Sequence, residues 1–583
     1  MSSIDDLFKK PSLPSNKRKF EITQNPDAIY KATKLSANGD VKSNGRATVE
    51  EEDDDDGVAG PELPPEEDGI DDEEGRFFGG GINNDTAEVL DFIEEREKED
   101  TLKAEKIDLT WVRRLALNFE KKITRNSELR AKFESTPQKF MGSEADLDAD
   151  IKAISILSEH SELYEEFAKL GCVASLVSLL SHENTDISID AIEIINELTD
   201  EDVEAEQAQW DALVDAMLEA NLLNLLYENL QRFDESIESD RSGVYHVLGV
   251  VENLASRISI AETLGKETSI IQWLSARIQR QEPTVSQNTQ YAAEVLAILL
   301  QSSVTNRLQL VQQDGIDLIL QLLSPYRKRD PLKGTEEEEY VENLFDCITC
   351  CVDDKVGKEK FLQAEGVELC LIMLRDGKMS KPRALRLLDH ALGGQEGAAC
   401  CEKLVEAAGL KVVFSMLMKK PDAQTTEHLL GLLASMLRSL PADSAPRIRL
   451  LAKFVEKDYE KIERLIKIRR EYASRVSVAD RNIKKERADL SVTEQGNHED
   501  EWLSQRLDAG LFTLQTVDVI LAWLAAEDDG ARKKMRDILA DRDESFDDIS
   551  ASLQEQLNSM DAGAGSDDPV MKDVLNALIQ HLD

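Results

Sequence analysis

A helical pattern that recurs six times from residue 170 onward constrains this chain more than any other feature of its sequence. In each copy, a small or turn-forming residue precedes an apolar helix, and a polar gap leads to a second apolar helix. Successive copies lie 50, 48, 46, 51 and 43 residues apart. The six turn positions are Gly171, Asn221, Ser269, Gly315, Gly366 and Gly409.

Repeats of this length predict an all-α, armadillo/HEAT-like right-handed α-solenoid, because HEAT and armadillo units span about 40–47 residues. Each unit exposes an apolar face that only its neighbour can cover, so the units must stack. The tight corner between a short helix and the next one requires a residue without a Cβ conflict, which explains the frequent glycine.

The composition limits the partners that such an array can have. Lys and Arg total 69 and Asp and Glu total 115, which gives a net charge of −46. A field of this sign repels nucleic acid and anionic membrane surfaces and attracts basic partners. Aromatic residues make up only 5% of the chain, which favours helices over sheets. We therefore expect a binder of basic proteins, with no direct nucleic-acid contact and no membrane.

No sequence signature of an enzyme or a cofactor site is found in the chain. Cys347 and Cys350 or Cys351 share a helical face, as two zinc ligands would, but no second pair with zinc spacing follows. Ordinary buried thiols are the favoured interpretation. His390, next to Asp389, is expected in a groove or in the core. The sequence therefore predicts a protein that is not an enzyme and holds no cofactor or metal.

Residues 1–75 are poor in large apolar side chains, so we predict a disordered tail. The tail contains an acidic run over residues 50–56, which is typical of a solubilising segment and could also mask the basic residues. A split basic cluster predicts a nuclear localisation signal read by importin-alpha. The alternative is a solvated tail with chance lysines. The cluster consists of Lys9, Lys10, Lys17, Arg18 and Lys19.

The remainder divides into three predicted parts: an N-terminal helical cap over 76–145, armadillo-type repeats over 146–446, and a C-terminal helical cap over 447–583. The last part begins with a long charged helix, which either packs on the array as a cap or, less favoured, forms a coiled coil with a partner. A later apolar helix carries Asp508 and Asp518, which favours a buried helix over a membrane span.

The last helix of each repeat predicts a binding groove. Aligning these helices by their apolar runs places acids and amides in two adjacent columns, and the last helix of an armadillo unit usually lines the concave groove. Carboxylates there would pair with Lys and Arg of an extended basic peptide, and amides would bond its backbone. The alternative is a solvated acidic face. The predicted groove residues are Asn196, Glu252, Asn253, Glu294, Glu342, Asn343 and Asp389.

Several longer segments resemble the beta-catenin-like protein 1 family of nuclear armadillo proteins. The resemblance covers most of the chain from about residue 75, and it includes the loops between repeats as well as the apolar positions. The matching segments begin at Arg76 (RFFGGG), Trp111 (WVRRLALNFEKKI), Leu163 (LYEEFAKLGCVASLVSLLSHENTDISIDAIEIINELTDED), Ala293 (AEVLAILLQ), Asp314 (DGIDLILQLLS), Glu342 (ENLFDCITCC), Arg383 (RALRLLDHALGG) and Asp508 (DAGLFTLQTVDVI).

The resemblance implies a non-enzymatic scaffold of the spliceosome, associated with the nineteen complex in pre-mRNA splicing. Its implied partners are splicing proteins with basic nuclear-localisation segments, including the Myb-like cell-division-cycle protein of that complex. The alternative is an importin-like transport adaptor, which would carry a regular array of tryptophan and asparagine. The tryptophans of this chain, Trp111, Trp210, Trp273, Trp502 and Trp523, fall outside the predicted groove, which counts against that alternative.

Overall fold

The computed structural model of the chain describes residues 106–490, 495, 498–562 and 569–582. The predicted disordered tail, the acidic run and the basic cluster at Lys9 to Lys19 lie outside the described residues. Within the described part we number 26 α-helices and find no strand. The helices are α1 (Leu109–Lys132), α2 (Met141–Ala153), α3 (Tyr164–Lys169), α4 (Cys172–Ser178), α5 (Thr185–Thr199), α6 (Gln207–Glu219), α7 (Leu222–Arg232), α8 (Glu238–Ala255), α9 (Ile258–Glu267), α10 (Ile270–Ile278), α11 (Gln287–Ser302), α12 (Val304–Gln312), α13 (Gly315–Leu323), α14 (Glu336–Cys351), α15 (Lys355–Gln363), α16 (Gly366–Asp376), α17 (Ser380–Leu392), α18 (Ala398–Glu406), α19 (Leu410–Met418), α20 (Ala423–Ser439), α21 (Ala445–Asp489), α22 (Glu499–Asp508), α23 (Leu511–Glu527), α24 (Asp529–Ala540), α25 (Phe546–Ala562) and α26 (Pro569–Leu582).

Helices α3 to α20 form six consecutive triplets, one for each copy of the sequence pattern. A triplet contains two shorter helices and a longer third helix, and the third helices are α5, α8, α11, α14, α17 and α20. Each third helix packs against the third helices before and after it. The predicted armadillo-type α-solenoid is therefore confirmed.

Side-chain caps define where several of the third helices begin. Asn184 accepts a hydrogen bond from the backbone N–H of Asp186 at the start of α5, and Ser286 accepts one from Thr289 at the start of α11. Caps of this kind satisfy N–H groups that have no partner inside the helix. The polar gaps of the sequence pattern therefore supply the start signals of the third helices.

The corners between the first and second helices explain the recurring glycine only in part. Gly171 has φ +80° and Asn221 has φ +66°, so these two turn positions adopt the left-handed conformation themselves. Ser269 does not, because its φ is −93°. In the last three triplets the left-handed residue is instead the one before the glycine, such as Asp314 at φ +56°.

Glycine in those last three corners avoids a steric clash rather than supplying φ. A Cβ at Gly315 would lie 2.3 Å from Leu310 Cδ1, and one at Gly366 would lie 2.2 Å from Phe361 Cε2. These distances are far below van der Waals contact. The predicted requirement for a residue without a Cβ conflict therefore holds at these three corners. At the first corner glycine instead supplies the positive φ of Gly171, and the second and third corners have residues with a Cβ, Asn221 and Ser269.

Buried arginines connect the C-terminal helices with each other, and one of them also contacts the last helix of the array. Arg447 of α21 is fully buried, pairs with Glu527 of α23 and donates to the carbonyl oxygen of Leu437 in α20. Arg469 donates through Nε to Oδ1 of Asp518 at 2.6 Å, and burial raises the pKa of this aspartate to about 6. A guanidinium at such a position can satisfy a carboxylate and a carbonyl oxygen together.

Helix α21 is interrupted near its first third. Lys457, Asp458 and Tyr459 all have φ between +54° and +63°, so three consecutive residues other than glycine are left-handed. The phenol of Tyr459 donates to Asp528 Oδ1 at 3.0 Å, and the ammonium of Lys534 pairs with Asp458 at 2.8 Å. These contacts offset the steric cost of the left-handed residues.

Among the described residues, no single helix is long and apolar enough to cross a membrane, and only the pair α22 and α23, bent by 64°, passes that test jointly. Helix α23 is mostly buried, with Val517, Ile520 and Leu521 at its centre.

Candidate functional site

The buried positions of the third helices fix how these helices correspond. Each contains three buried pairs with the same spacing, for example 191/192, 194/195 and 198/199 in α5. The corresponding pairs begin at residue 247 in α8, 292 in α11, 344 in α14, 384 in α17 and 429 in α20. Because buried positions of repeats are equivalent, this spacing gives a register that does not depend on the chemistry of the exposed residues.

In this register the predicted groove residues do not form one row. Asn196, Glu252 and Asp389 are equivalent, since each directly follows the second buried pair. Glu294 lies one turn earlier in its helix and Glu342 about two turns earlier. The positions equivalent to Asn196 in α11 and α14 are Ala297 and the buried Thr349.

The row in which Glu294 lies is a feature that the sequence alignment missed. It occupies the gap between the first and second buried pairs of each third helix. We call it the gap row, and it consists of Glu193, Gly249, Glu294, Asp346, Arg386 and Gly431. The three buried pairs leave the same apolar pattern in the sequence of every third helix. Aligning the helices by this pattern identifies the gap row from the sequence.

Asn253 and Asn343, two of the three predicted asparagines, have different surroundings. Asn253 of α8 donates through Nδ2 to the backbone oxygen of Asn196 at 3.2 Å and to Oγ1 of Thr199 at 3.2 Å. Its amide therefore joins α5 to α8. Asn343 is equivalent to Tyr291 of α11 and Arg383 of α17 and is partly exposed.

Carboxylates on α2 and α5 form the first charged group of this face. We call Asp148, Asp190, Glu193 and Glu197 the upstream acidic cluster. The hydroxyls of Ser155 and Ser158 donate to Oε1 of Glu197 at 2.6 and 3.1 Å. Both donors are neutral, so they orient the Glu197 carboxylate without placing a positive charge beside it.

Glu193 is the most exposed member of the cluster, with 51% of its side chain accessible. The Nε2 atom of His246 lies 4.0 Å from Glu193 Oε1. Burial lowers the pKa of His246, so at neutral pH its imidazole is predominantly uncharged. Glu193 therefore presents its negative charge to solvent.

Asp148 and Asp190 share one ammonium group. The Nζ atom of Lys152 lies 2.5 Å from Asp148 Oδ1 and 3.5 Å from Asp190 Oδ1. Burial and a hydrogen bond with Asp148 raise the pKa of Asp190 to about 7. Burial also opposes the ionisation of Asp148, but hydrogen bonds with Asp190 and Lys152 outweigh it and lower its pKa. The pair therefore releases its two protons in separate steps, and only the second step lies near neutral pH.

The next two acids along the face receive hydrogen bonds from neutral side chains of α11. The phenol of Tyr291 donates to Glu252 Oε2 at 2.5 Å. The amide of Gln290, a fully buried residue, donates to Glu294 Oε2 at 2.8 Å. Burial, together with the Glu252 carboxylate, raises the pKa of Tyr291 far above its ordinary value, so the phenol stays a donor.

The downstream part of the face contains carboxylates that pair with cations of the next repeat. We call the ion pairs Glu342–Arg383 and Asp346–Arg386 the downstream ladder. The second joins Oδ1 of Asp346 to the guanidinium of Arg386 at 3.0 Å. Burial raises the pKa of Asp346 although Arg386 works against the shift. The sequence prediction missed both arginines.

Asp389 and His390 also contact neighbouring helices instead of projecting freely. Asp389 Oδ2 lies 3.0 Å from His428 Nδ1, and His390 Nδ1 lies 2.9 Å from Asp353 Oδ1. A Cβ at Gly431 would lie 2.5 Å from Asp389 Oδ1. The close packing of α20 therefore fixes the Asp389 carboxylate.

The cysteines of α14 are largely buried thiols. Cys347 and Cys351 are fully buried, and Cys350 is partly buried. Burial raises the pKa of the Cys350 thiol to about 12 and that of Cys347 far above its ordinary value. Within the described ranges, no group of three or more His, Cys, Asp and Glu side chains could hold a metal ion.

Comparison with known proteins places this helical array in a family. A model of the family described as "Catenin-beta-like, Arm-motif containing nuclear" matches residues 87–554, which is most of the chain. The chain belongs to the catenin-beta-like family. The family description agrees with the stacked triplets, and it also names a nuclear location.

Curated relatives support the same assignment. The chain is 39% identical over 475 residues to the beta-catenin-like protein 1 homolog of Schizosaccharomyces pombe, covering 81% of this chain and 83% of that protein. It is 37% identical over 471 residues to beta-catenin-like protein 1 of Homo sapiens, covering 78% and 83%. The resemblance seen in the sequence segments is thus confirmed.

Some engineered proteins of known structure are similar to part of the chain. One is a designed armadillo repeat protein in complex with the peptide (KR)4, with a TM-score of 0.36, 14% sequence identity, and coverage of 45% of this chain and 99% of that chain. Another is an engineered protein with a TM-score of 0.36, 15% identity, and coverage of 46% and 97%.

Proposed function

We propose that this protein is a nuclear, non-enzymatic scaffold that binds basic segments of splicing proteins on the third-helix face of its repeats. The armadillo array and the membership of the catenin-beta-like family are consistent with a protein-binding scaffold. The proposed partners are components of the nineteen complex, among them its Myb-like cell-division-cycle protein, and the proposed process is pre-mRNA splicing.

The observation that carries this proposal is the chemistry of the upstream acidic cluster. Glu193 is half exposed beside an imidazole that is mostly neutral, and Glu197 is oriented by two serine hydroxyls. Oriented carboxylates that keep their charge bind Lys and Arg well, because little ordering is required when the ligand arrives. Asn253 lies on the neighbouring helix, one turn from Gly249 of the gap row.

An importin-like transport adaptor is the second candidate, since it would use the same type of face. Such an adaptor depends on a regular array of tryptophans on the third helices. In this chain Trp210 lies on α6 and Trp273 on α10, which are first and second helices of their triplets. The positions of these tryptophans favour the scaffold.

Nuclear import is the second element of the proposal. The basic cluster at Lys9, Lys10, Lys17, Arg18 and Lys19 would be recognised by importin-alpha. Replacement of Lys17, Arg18 and Lys19 by alanine should move a fluorescently tagged chain to the cytoplasm. Continued nuclear residence of this variant would contradict the role of the cluster.

Peptide binding is tested with a labelled short peptide of alternating Lys and Arg and the full-length protein. We expect saturable binding that weakens strongly between low salt and about 0.5 M salt, because exposed charges are screened over a few ångströms at that ionic strength. A peptide with Glu in place of Lys and Arg is the control. Equal binding of both peptides, or no saturation, would refute a basic-peptide site.

The splicing role is tested by purifying the tagged protein from nuclear extract and identifying what is bound. Components of the nineteen complex should be enriched with the wild-type chain and reduced when Glu193 and Glu197 are both changed to Lys. Enrichment of transport factors in place of splicing proteins would support the importin-like alternative.

A further inference from the structure

The distal half of α21 carries positive charge on an otherwise strongly acidic protein. The whole helix has 14 Lys and Arg residues against 8 Asp and Glu residues. Its apolar positions Ile462, Leu465 and Tyr472 pack against the rest of the C-terminal region. Between residues 474 and 488 of α21, in contrast, only Val476 and Ile483 are buried.

One side of this distal half is covered and the other is exposed. Helix α22 covers the first side, where Trp502 Nε1 donates to Glu486 and the guanidinium of Arg506 pairs with Asp480 at 2.8 Å. The exposed cations Arg475, Arg481, Lys484 and Lys485 lie around the other half of the helix circumference, with Arg475 and Lys484 at its two edges. We call this surface the cationic face.

The four cations of this face are not neutralised by the protein around them. Among the residues that the structure describes, none of the four forms an ion pair with a carboxylate within 4.0 Å. Arg481 donates to the backbone oxygen of Ser477, and Arg475 lies over the ring of Tyr472. Helical spacing places the four charges within about 15 Å of one another along the axis.

Acidic residues lie near the cationic face on α21 and on the neighbouring helix α22. Glu471 lies exposed on α21 one turn before Arg475, and Glu499, Asp500 and Glu501 lie exposed in the first turn of α22. A polynucleotide carries charge along its whole length, so it would extend from this face onto repelling surface. A short acidic segment can end where the cations end.

The chemistry of the face also indicates a peptide. Val478, between Arg475 and Arg481, is 47% exposed, and it is the large apolar side chain that this stretch presents to solvent. Within residues 474–488 no aromatic side chain is available for base stacking, on which single-stranded nucleic-acid sites commonly depend. Carboxylates that flank an apolar side chain match this arrangement.

We propose that the cationic face of α21 binds a short acidic peptide segment of a partner protein, with an apolar residue among its carboxylates. The site is distinct from the third-helix face and does not depend on the proposed function. Because surface ion pairs are individually weak, we expect affinity on the order of millimolar for an isolated peptide. A partner that also binds elsewhere would convert this contact into an effective second anchor.

The proposal is tested by carbodiimide coupling between a labelled Asp/Glu peptide with a central Leu and the full-length protein, read by mass spectrometry. The coupling joins a carboxylate to a nearby lysine amine. Lys484 and Lys485 should couple about tenfold more than Lys411, an exposed lysine of α19 that serves as the control. The excess should disappear at about 0.5 M salt.

The test variants leave Lys484 and Lys485, whose coupling is measured, unchanged. Replacing Arg475→Glu and Arg481→Glu together should lower coupling at Lys484 and Lys485 at least about fivefold, while Arg475→Lys and Arg481→Lys should preserve it. Coupling no higher than that of Lys411 in the wild-type chain would overturn the proposal. So would preferential binding of an oligouridine that displaces the peptide and is lost in the Glu variant, because that result would identify a nucleic-acid site.

Discussion

Glu193 and Glu197 of the upstream acidic cluster and the acids of the downstream ladder lie on the same series of third helices but have opposite kinds of partner. In the cluster, Glu197 is held by serine hydroxyls and Glu193 lies beside a neutral imidazole. In the ladder, Asp346 is paired with a guanidinium of the next repeat. The comparison teaches that the number of acids on a helical face does not measure its capacity to bind a cation, because the partner of each acid decides what charge remains.

The largest expected effect is a loss of stability when an ion pair of the downstream ladder is broken. Changing Arg386→Met leaves the Asp346 carboxylate without its cation in a partly buried place, so we expect a loss of about 2 kcal/mol in the free energy of unfolding. Urea denaturation measures this loss. The control is Arg329→Met, which removes the exposed pair with Glu337 and should cost at most about 0.5 kcal/mol. Equal losses would show that the ladder does not stabilise the array.

The next largest effect is on the binding of a basic peptide, which we expect to depend on the upstream acidic cluster and not on the downstream acids. Changing Glu193→Lys and Glu197→Lys together should weaken the binding of a Lys/Arg peptide about tenfold, because two attractive contacts become repulsive. Fluorescence anisotropy measures the affinity. The matched control is the pair Glu342→Lys and Asp389→Lys, which should change the affinity by less than about threefold. A larger effect of the control would move the binding region downstream.

A smaller effect concerns the pH dependence of the upstream region. The folded-state pKa of Asp190 is raised to about 7, above the value of about 4 in an unfolded chain. The folded state therefore binds the proton more tightly, and the stability that this proton provides is present below pH 4 and is lost as the pH rises through 7. After allowance for solvent screening, we expect a loss of about 1 kcal/mol between pH 5 and pH 8.

The variant Asp190→Asn isolates this effect from other titrating groups. Its stability should change less than that of the wild type between pH 5 and pH 8, as measured by urea midpoints at both values. Since Asp148 and Lys152 share the site, Asp148→Asn should also alter the profile. An identical pH profile in Asp190→Asn and the wild type would exclude Asp190 as the titrating group.

The smallest expected effect concerns a hydrogen bond whose donor is uncharged. Tyr291→Phe removes the phenol that donates to Glu252 and should lower the free energy of unfolding by about 0.5 kcal/mol, because water can reach the partly exposed carboxylate in its place. Because the lost donor is uncharged, the loss should be nearly independent of salt. Thermal unfolding at low and high salt measures it. A strong salt dependence would show that the contact acts mainly through charge.

The fold could be predicted from the sequence to a large extent, because six corners with small residues and apolar helices of fixed spacing leave few alternatives to stacked triplets. The corner at Gly315 shows the limit of that reasoning. Its glycine is required by the Leu310 side chain, whereas the left-handed residue is Asp314. Sequence spacing does not contain that contact, which arises only when the helices of a triplet pack.

The candidate site could be predicted less well. The apolar runs of the sequence align Glu294 and Glu342 with Glu252, whereas the buried pairs of the structure place them in different rows from Glu252. Arg383 and Arg386 pair with Glu342 and Asp346 of the preceding repeat. The distance between two neighbouring repeats cannot be read from the sequence. An alignment based on the buried pairs reveals the gap row, but it does not reveal the ion pairs between neighbouring repeats.

The succession of third helices, each in contact with the ones before and after it, has a consequence for how the protein opens. Most interfaces join neighbours along the chain, so most contacts are local and the array can lose structure from one end while the middle stays intact. The buried Arg447 links α20 to the C-terminal helices and resists fraying from that side. Amide hydrogen exchange should therefore become progressively slower from α1 toward α20.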